Sequence, residues 1–179
     1  MDKLLLLSCC APCSIGVITE LAKQGQNFSV FFFNPNIQPK EEYLRRLSEN
    51  KRVCQKLSVP FIEGDYVPEL WQKAVKGLEN EPERGKRCDV CFYLRLKVGA
   101  QYAKQHGFTR ISSVFGISRF KDFDQVCRAG KKAEKEIGIP YDVTNWRKNG
   151  GLERSEKLAK KENLYRQKYC GCRPTQSPK

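Results

Sequence analysis

A single histidine, His106, is all the imidazole in this chain of 179 residues. It stands in Lys-Gln-His-Gly at an expected helix end, where capping is its natural role. That scarcity removes Ser-His-Asp and Cys-His mechanisms, which need an imidazole beside the nucleophile. It also removes zinc fingers built on a histidine pair. No Gly-x-Gly-x-x-Gly and no phosphate loop ending in Gly-Lys-Ser/Thr occurs, so nicotinamide chemistry and nucleotide hydrolysis lack their usual cradles. Arginine-glycine repeats, the aromatic signature of RNA-recognition domains and low-complexity tracts are likewise missing. The longest apolar run near the start, Leu4–Leu7, falls far short of the roughly 20 residues that span a bilayer. Leu-Leu-Ser-Cys9 superficially resembles a lipoprotein cleavage site. Its apolar stretch is nevertheless shorter than the roughly 7–15 residues a signal needs, and its Met-Asp-Lys lead is not basic. These absences predict a cytoplasmic protein with no membrane partner, in which thiols stay reduced.

What the chain does have is sulfur and positive charge. Of nine cysteines, seven fall into tight groups: Cys9, Cys10 and Cys13; Cys88 and Cys91; Cys170 and Cys172. Cys54 and Cys127 stand alone. Thiols grouped so densely serve metal or redox chemistry far more often than packing. The net charge is +13, and residues 144–179 carry ten Lys/Arg against three Glu. Residues 63–83 instead hold six acids against two lysines. A basic C-terminal third points to a polyanion, with nucleic acid the most plausible, against the plainer alternative of a solvated helix.

Short β runs alternate with longer helical patterns, which predicts a doubly wound, mostly parallel α/β sheet (Rossmann-like) of about five strands. Strands are expected at 4–8, 30–33, 61–62, 110–115 and 141–143. Helices are expected at 12–21, 41–57, 68–78, from Cys88 to about His106, at 122–137 and at 151–167, the last one basic. The segment around 68–78 and the charged loop 79–87 form a helical insertion. In the second helix Leu44, Leu47, Lys51 and Cys54 share a stripe, so Cys54 reads as a buried apolar group. Residues 1–173 are then a single α/β domain carrying the site, and 174–179 a flexible tail. Sites in such sheets form beyond the carboxyl ends of the strands, which is where Cys9 and Cys10 fall.

Cys88 and Cys91 are three apart at a helix start, on one face near the positive end of the dipole, a place that favours thiolates. Cys9 and Cys10 are placed to supply two more sulfurs from a facing wall. Two pairs suit zinc or an iron–sulfur cluster equally by count. Adjacent cysteines are unusual for zinc, whose ligands normally leave about two to four residues between them, and Cys13 exceeds what a closed zinc site needs. Cys170 and Cys172, one residue apart, are able to close a strained, easily reduced disulfide. The alternative is a pair of incidental thiols. Asp89, between the two helix cysteines, is either a solvated helix-start residue or a hard ligand or proton donor beside the metal.

Cys9-Cys10-Ala11-Pro12-Cys13, Phe33-Asn34-Pro35-Asn36-Ile37 with Glu42-Tyr43-x-x-Arg46, Cys88-x-x-Cys91 with Arg95-Leu96, and Tyr165-Arg166-Gln167-x-x-Cys170-Gly171-Cys172 together resemble the QueH family of cobalamin-independent epoxyqueuosine reductases. The resemblance runs from residue 4 to 172. It implies removal of the epoxide oxygen of epoxyqueuosine at the tRNA wobble position, with an unidentified electron donor. It further implies a [4Fe–4S] cluster on Cys9, Cys10, Cys88 and Cys91, and a redox-active disulfide between Cys170 and Cys172. An additional iron beside the cluster is implied too, with Cys13 and Asp89 as its candidate ligands. Asp89 then also stands as a candidate proton donor. Tyr165, Tyr169, Trp146 and Phe120 are candidates to stack on an anticodon base, each against a plainer role in the core. Two other readings stay open: a tRNA sulfur-transfer enzyme of the ATP-pyrophosphatase type, whose Ser-Gly-Gly-x-Asp-Ser loop is replaced here by Ser8-Cys-Cys-Ala-Pro-Cys13, and a zinc-stapled RNA-binding module without catalysis.

Overall fold

The strand β1 (Leu4–Leu7) is four consecutive leucines, all buried, a run with no polar face that belongs in the middle of a parallel sheet covered on both sides. The computed structural model, which describes residues 2–172, puts it there. Its neighbours are β2 (Phe28–Phe32) and β4 (Arg110–Ser113), with β3 (Phe61–Glu63) outside β2, giving the order β3-β2-β1-β4. All three pairings are parallel, with Leu4 opposite both Phe28 and Arg110.

Alternate residues of a strand face opposite ways, and here they build two cores. Leu5, Leu7, Phe31 and Phe33 pack toward α4 (Lys86–Gln105) and α5 (Phe123–Ile137). Leu4, Leu6 and Val30 pack toward α1 (Ala11–Lys23), α2 (Lys40–Lys56) and α6 (Gly151–Lys161). A short α3 (Pro68–Ala74) covers the start of α4 through Trp71. Helices on both faces of a parallel sheet make the fold doubly wound. The α4 layer sits close to β1 because residue 99 is glycine: a Cβ there would come within 2.6 Å of Leu7 Cδ2. Asp122 starts α5 by accepting from the amides of Asp124 and Gln125, and Gly138 ends it in the left-handed conformation at φ 82°.

Several expectations need correction. The sheet has four strands among the described residues rather than about five. Tyr141 forms only an isolated bridge to Ile111, because Pro140 has no amide to extend the ladder and Thr144 N turns back onto Asp142 O. The basic helix ends at Lys161 instead of 167, with Asn163 in the left-handed region at φ 50°. The helix expected at 68–78 stops at Ala74, before the Gly77 turn at φ 83°. On α2 the buried stripe is Tyr43, Leu47, Asn50 and Cys54, whereas Leu44 is 47% exposed. The tail expected at 174–179 lies outside the described residues. No helix among the described residues is long and apolar enough to cross a membrane.

Candidate metal and thiol site

Where β1 ends, the chain turns at Ser8 and enters α1 through Cys10 as N-cap, with Pro12 in the first turn. This short passage carries Cys9, Cys10 and Cys13, whose sulfurs all lie within 4.8 Å of one another. The turn is braced from beneath by buried polar groups. Ser8 Oγ lies 2.5 Å from Ser14 Oγ and 2.6 Å from Asn50 Oδ1. Asn34 Nδ2 donates to Ser8 O at 3.0 Å, and its Oδ1 accepts from Arg95 Nη2. Arg95 in turn stacks over the Phe115 ring, 3.6 Å from its centre.

The first turn of α4 supplies a second wall. Cys88 and Cys91 are both buried and line the same cavity as Cys9 and Cys13. A third wall comes from the segment after α6, which carries Cys170 and Cys172 to that cavity and sets Gln167 Nε2 2.9 Å from Cys10 Sγ. The space enclosed is about 420 Å³. Six of the seven grouped cysteines line it, and Cys10 sits just behind at 1% exposure. Lys121 projects into it, its Nζ 3.1 Å from Cys170 Sγ and 2.7 Å from Glu83 Oε1.

The sulfurs are pushed in opposite directions. Thiols of Cys13 and Cys9 donate toward Cys10 and hold it well below the ordinary thiol value, while Cys9 is pushed up to about 12 and Cys13 is pushed up as well. Such a set gives up protons when a metal binds. Cys170 is held low by the donating Cys172 thiol and, despite burial, by the Lys121 ammonium; Cys172 is raised in return. Burial disfavours charge on Lys121, but the Cys170 sulfur opposite more than offsets it. The helix start does not make a thiolate of Cys91, whose burial pushes it up.

The structure does not bring Asp89 to this cavity. Its side chain is exposed on the outer face of α4, 4.0 Å from Arg128. Cys54 is fully buried among apolar groups and pushed up to about 12 by that burial. Of the aromatic candidates, Tyr169 and Phe120 line the cavity, Trp146 packs into the α1 side core, and Tyr165 bonds to Glu42. Asn34 and Lys121 were not legible as site residues. The first hides inside an apparent turn signal, and the second belongs to a stretch without periodicity or motif.

Fold and site together define a parallel α/β protein with a cysteine-lined cup beyond the carboxyl end of its central strand, suited to a metal. Residues 4–177 match the family described as epoxyqueuosine reductase QueH. The chain belongs to that family. Relatives bearing the same description include a protein of Acinetobacter baylyi, 48% identical, and one of Histophilus somni, 47% identical, each matching 96% of this chain. The matches span 79% and 71% of those proteins. A Thermotoga maritima relative is 33% identical, over 96% of this chain and 89% of its own length. Among solved structures, one described as a "predicted subunit of tRNA methyltransferase" from Methanocaldococcus jannaschii superposes with a TM-score of 0.60, covering 89% of this chain and 75% of its own. At 13% identity that likeness speaks for the fold alone.

Proposed function

We propose that the chain reduces the epoxide of epoxyqueuosine at the wobble position of tRNA, leaving a cyclopentene. The observation that carries this reading is the convergence of cysteines from three distant segments on one cavity, in a chain of this family. Cys9, Cys10, Cys88 and Cys91 would hold a [4Fe–4S] cluster, and Cys13 would be a ligand of an additional iron. The donor set fits: all-thiol ligands, three of them within 4.8 Å and two carrying protons to exchange for metal. Asp89 is left out of that set because it faces Arg128 and solvent. When bound, such a centre supplies single electrons and Lewis acidity.

The protein's own residues account for the rest of the balance. Opening the epoxide to an alkene breaks both carbon–oxygen bonds, forms a carbon–carbon double bond, takes two electrons and two protons, and releases water. Joining Cys170 to Cys172 forms one sulfur–sulfur bond and releases two electrons. The Cys172 thiol and the Lys121 ammonium hold the two protons, with Cys170 as thiolate. An external reductant must then reopen the disulfide and restore both protons. Phe120, 45% exposed, and Tyr169 offer rings to an unstacked base. α6 packs onto α1 through Ser155 and Ala159 and exposes Arg154, Lys157, Lys160 and Lys161, a basic face for the anticodon stem.

The deciding experiment starts with protein purified without oxygen. Its iron, sulfide and zinc are measured, and it is then given epoxyqueuosine-tRNA and a strong reductant. About four sulfides with four or more irons per chain, followed by loss of the epoxide oxygen, is the expected result. One zinc without sulfide, persisting after reconstitution, refutes the proposal and favours a binding module. ATP-dependent thiolation of tRNA would refute it in favour of sulfur transfer.

A further inference from the structure

Residues 162–172 carry neither helix nor strand, yet they deliver two cysteines to a defined place. No ladder holds them; α2 does. Tyr165 N donates to Glu49 Oε2 at 3.1 Å, and Tyr165 Oη donates to Glu42 Oε2 at 2.9 Å. The other oxygen of Glu42 takes Arg46 Nε at 2.6 Å, in an ion pair with Arg46 3% and Glu42 7% exposed. The two remaining arms of the guanidinium reach the dithiol backbone, Nη1 to Cys170 O at 2.8 Å and Nη2 to Tyr169 O at 3.2 Å. The next carbonyl, Gly171 O, accepts from Gln38 N at 2.8 Å. Three successive carbonyls are therefore fixed by groups on or just before α2. Gly171 is at φ 100°, and a Cβ there would lie 3.2 Å from Arg46 Nη2 and 3.3 Å from Ile37 Cγ2. Only glycine suits that seat.

A buried ion pair is a poor way to stabilise a fold, because desolvation cancels most of its attraction. Hydrophobic residues would fill the same space as well. What they would not do is grip two carbonyls on either side of a peptide unit with a planar fork. Two of the sequence patterns, Glu42-Tyr43-x-x-Arg46 and Tyr165 through Cys172, thus meet in one device. We infer that Arg46, braced by Glu42 and Tyr165, is a positioning residue that seats Cys170-Gly171-Cys172 so that its sulfurs face Lys121 and the Cys88–Cys91 wall. That Cys170 and Cys172 are the reductant rests on the function proposed above; the seating itself does not.

The test pairs Glu42→Gln with Arg46→Met, so that neither charge is left buried alone, and uses Tyr165→Phe as a milder second variant. In cluster-loaded protein, alkylation of Cys170 and Cys172 by iodoacetamide is followed by peptide mapping. The double variant should be alkylated about tenfold faster or more, since the segment now opens independently of the fold. Its kcat should fall about 100-fold, as misplacement of a reacting group by about an ångström does, while KM for tRNA stays within about twofold and iron and sulfide stay at the wild-type level. Tyr165→Phe should shift alkylation and kcat in the same direction by a smaller factor. Wild-type alkylation rates in the double variant would overturn the inference. So would loss of iron together with activity, which would mark the pair as general scaffold. Should the double variant not fold, Tyr165→Phe decides, and unchanged alkylation and kcat in it overturn the inference. A Cys170→Ser enzyme that still turns over would sink the dithiol mechanism while leaving the alkylation result on seating intact.

Discussion

Asn34 is the residue whose removal tests most directly how the cysteine turn is held. It is fully buried, and both ends of its amide are used. Nδ2 caps the Ser8 carbonyl at 3.0 Å and Oδ1 meets the Arg95 guanidinium. Asn34→Ala leaves the Ser8 carbonyl buried and unpaired, at a cost of about 1–3 kcal/mol, and removes a hydrogen bond to a charged group worth about 1.5–3 kcal/mol. Arg95 is not stranded, since it keeps Phe33 O at 3.4 Å and the Phe115 ring. A loss of about 3–4 kcal/mol is therefore expected. For a chain of this size that lowers Tm by about 10 °C. Asn34→Asp keeps an acceptor for Arg95 and loses only the donor, so it should cost about half as much. The assay is urea and thermal unfolding of the metal-free protein under argon, with iron per chain measured after reconstitution. Iron uptake should fall in the order wild type, Asp, Ala. An alanine variant within about 0.5 kcal/mol of wild type, the range of an ordinary surface change, would refute the reasoning. So would an aspartate variant less stable than alanine.

Other consequences are as direct. Cys170→Ser should abolish turnover while leaving iron and sulfide unchanged; loss of cluster absorbance in it would contradict that division of labour. Cys88→Ser should instead lose the cluster, and a variant that keeps it removes Cys88 from the ligands. Gly99→Ala should destabilise, because overlap with Leu7 at 2.6 Å costs about 1–3 kcal/mol against about 1 kcal/mol of helix propensity gained; a raised urea midpoint would contradict this. Burial raises Cys54 from 9.0 to about 12, so the stability tied to its proton is complete below pH 9.0 and drains as pH rises toward 12. Relative to Cys54→Ala, wild type should thus lose about 1 kcal/mol between pH 9 and 10, and parallel stability curves for the two proteins would refute it.

The sequence made the sheet readable where each strand had a private signal. Four leucines in a row, three phenylalanines after valine, and the Asn-Pro-Asn stop located β1 and β2, although β2 begins two residues earlier than expected, at Phe28. The fifth strand failed because Tyr-Asp-Val has strand propensity but stands beside a proline, and pairing depends on amide geometry that propensity does not carry. Leu44 misled for a related reason: one apolar residue on an expected stripe says nothing of which side of α2 meets the core. The cysteine groups were legible because spacing alone reveals them. Asn34 and Arg95 stood in the family motifs without a role, and Lys121 had no signal, since their contacts span 61, 62 or 49 residues of sequence. Asp89 looked like a neighbour of the metal because it lies between two cysteines in sequence. On a helix, residues one apart point about 100° away from each other, and that sent it to solvent.

The Cys170–Cys172 wall also has a consequence in time. A ribosome lays down Cys9, Cys10 and Cys13 first and Cys88 and Cys91 next, then needs about 80 residues more to reach Cys172. At about 5–20 residues per second that interval is on the order of 4–16 s. Throughout it the five earlier site thiols stand without their third wall, open to small molecules and to oxygen. Once the last wall docks on α2, only the cavity mouth remains. Under the function proposed above, the metal would enter more easily before that wall docks than after, through a wider opening.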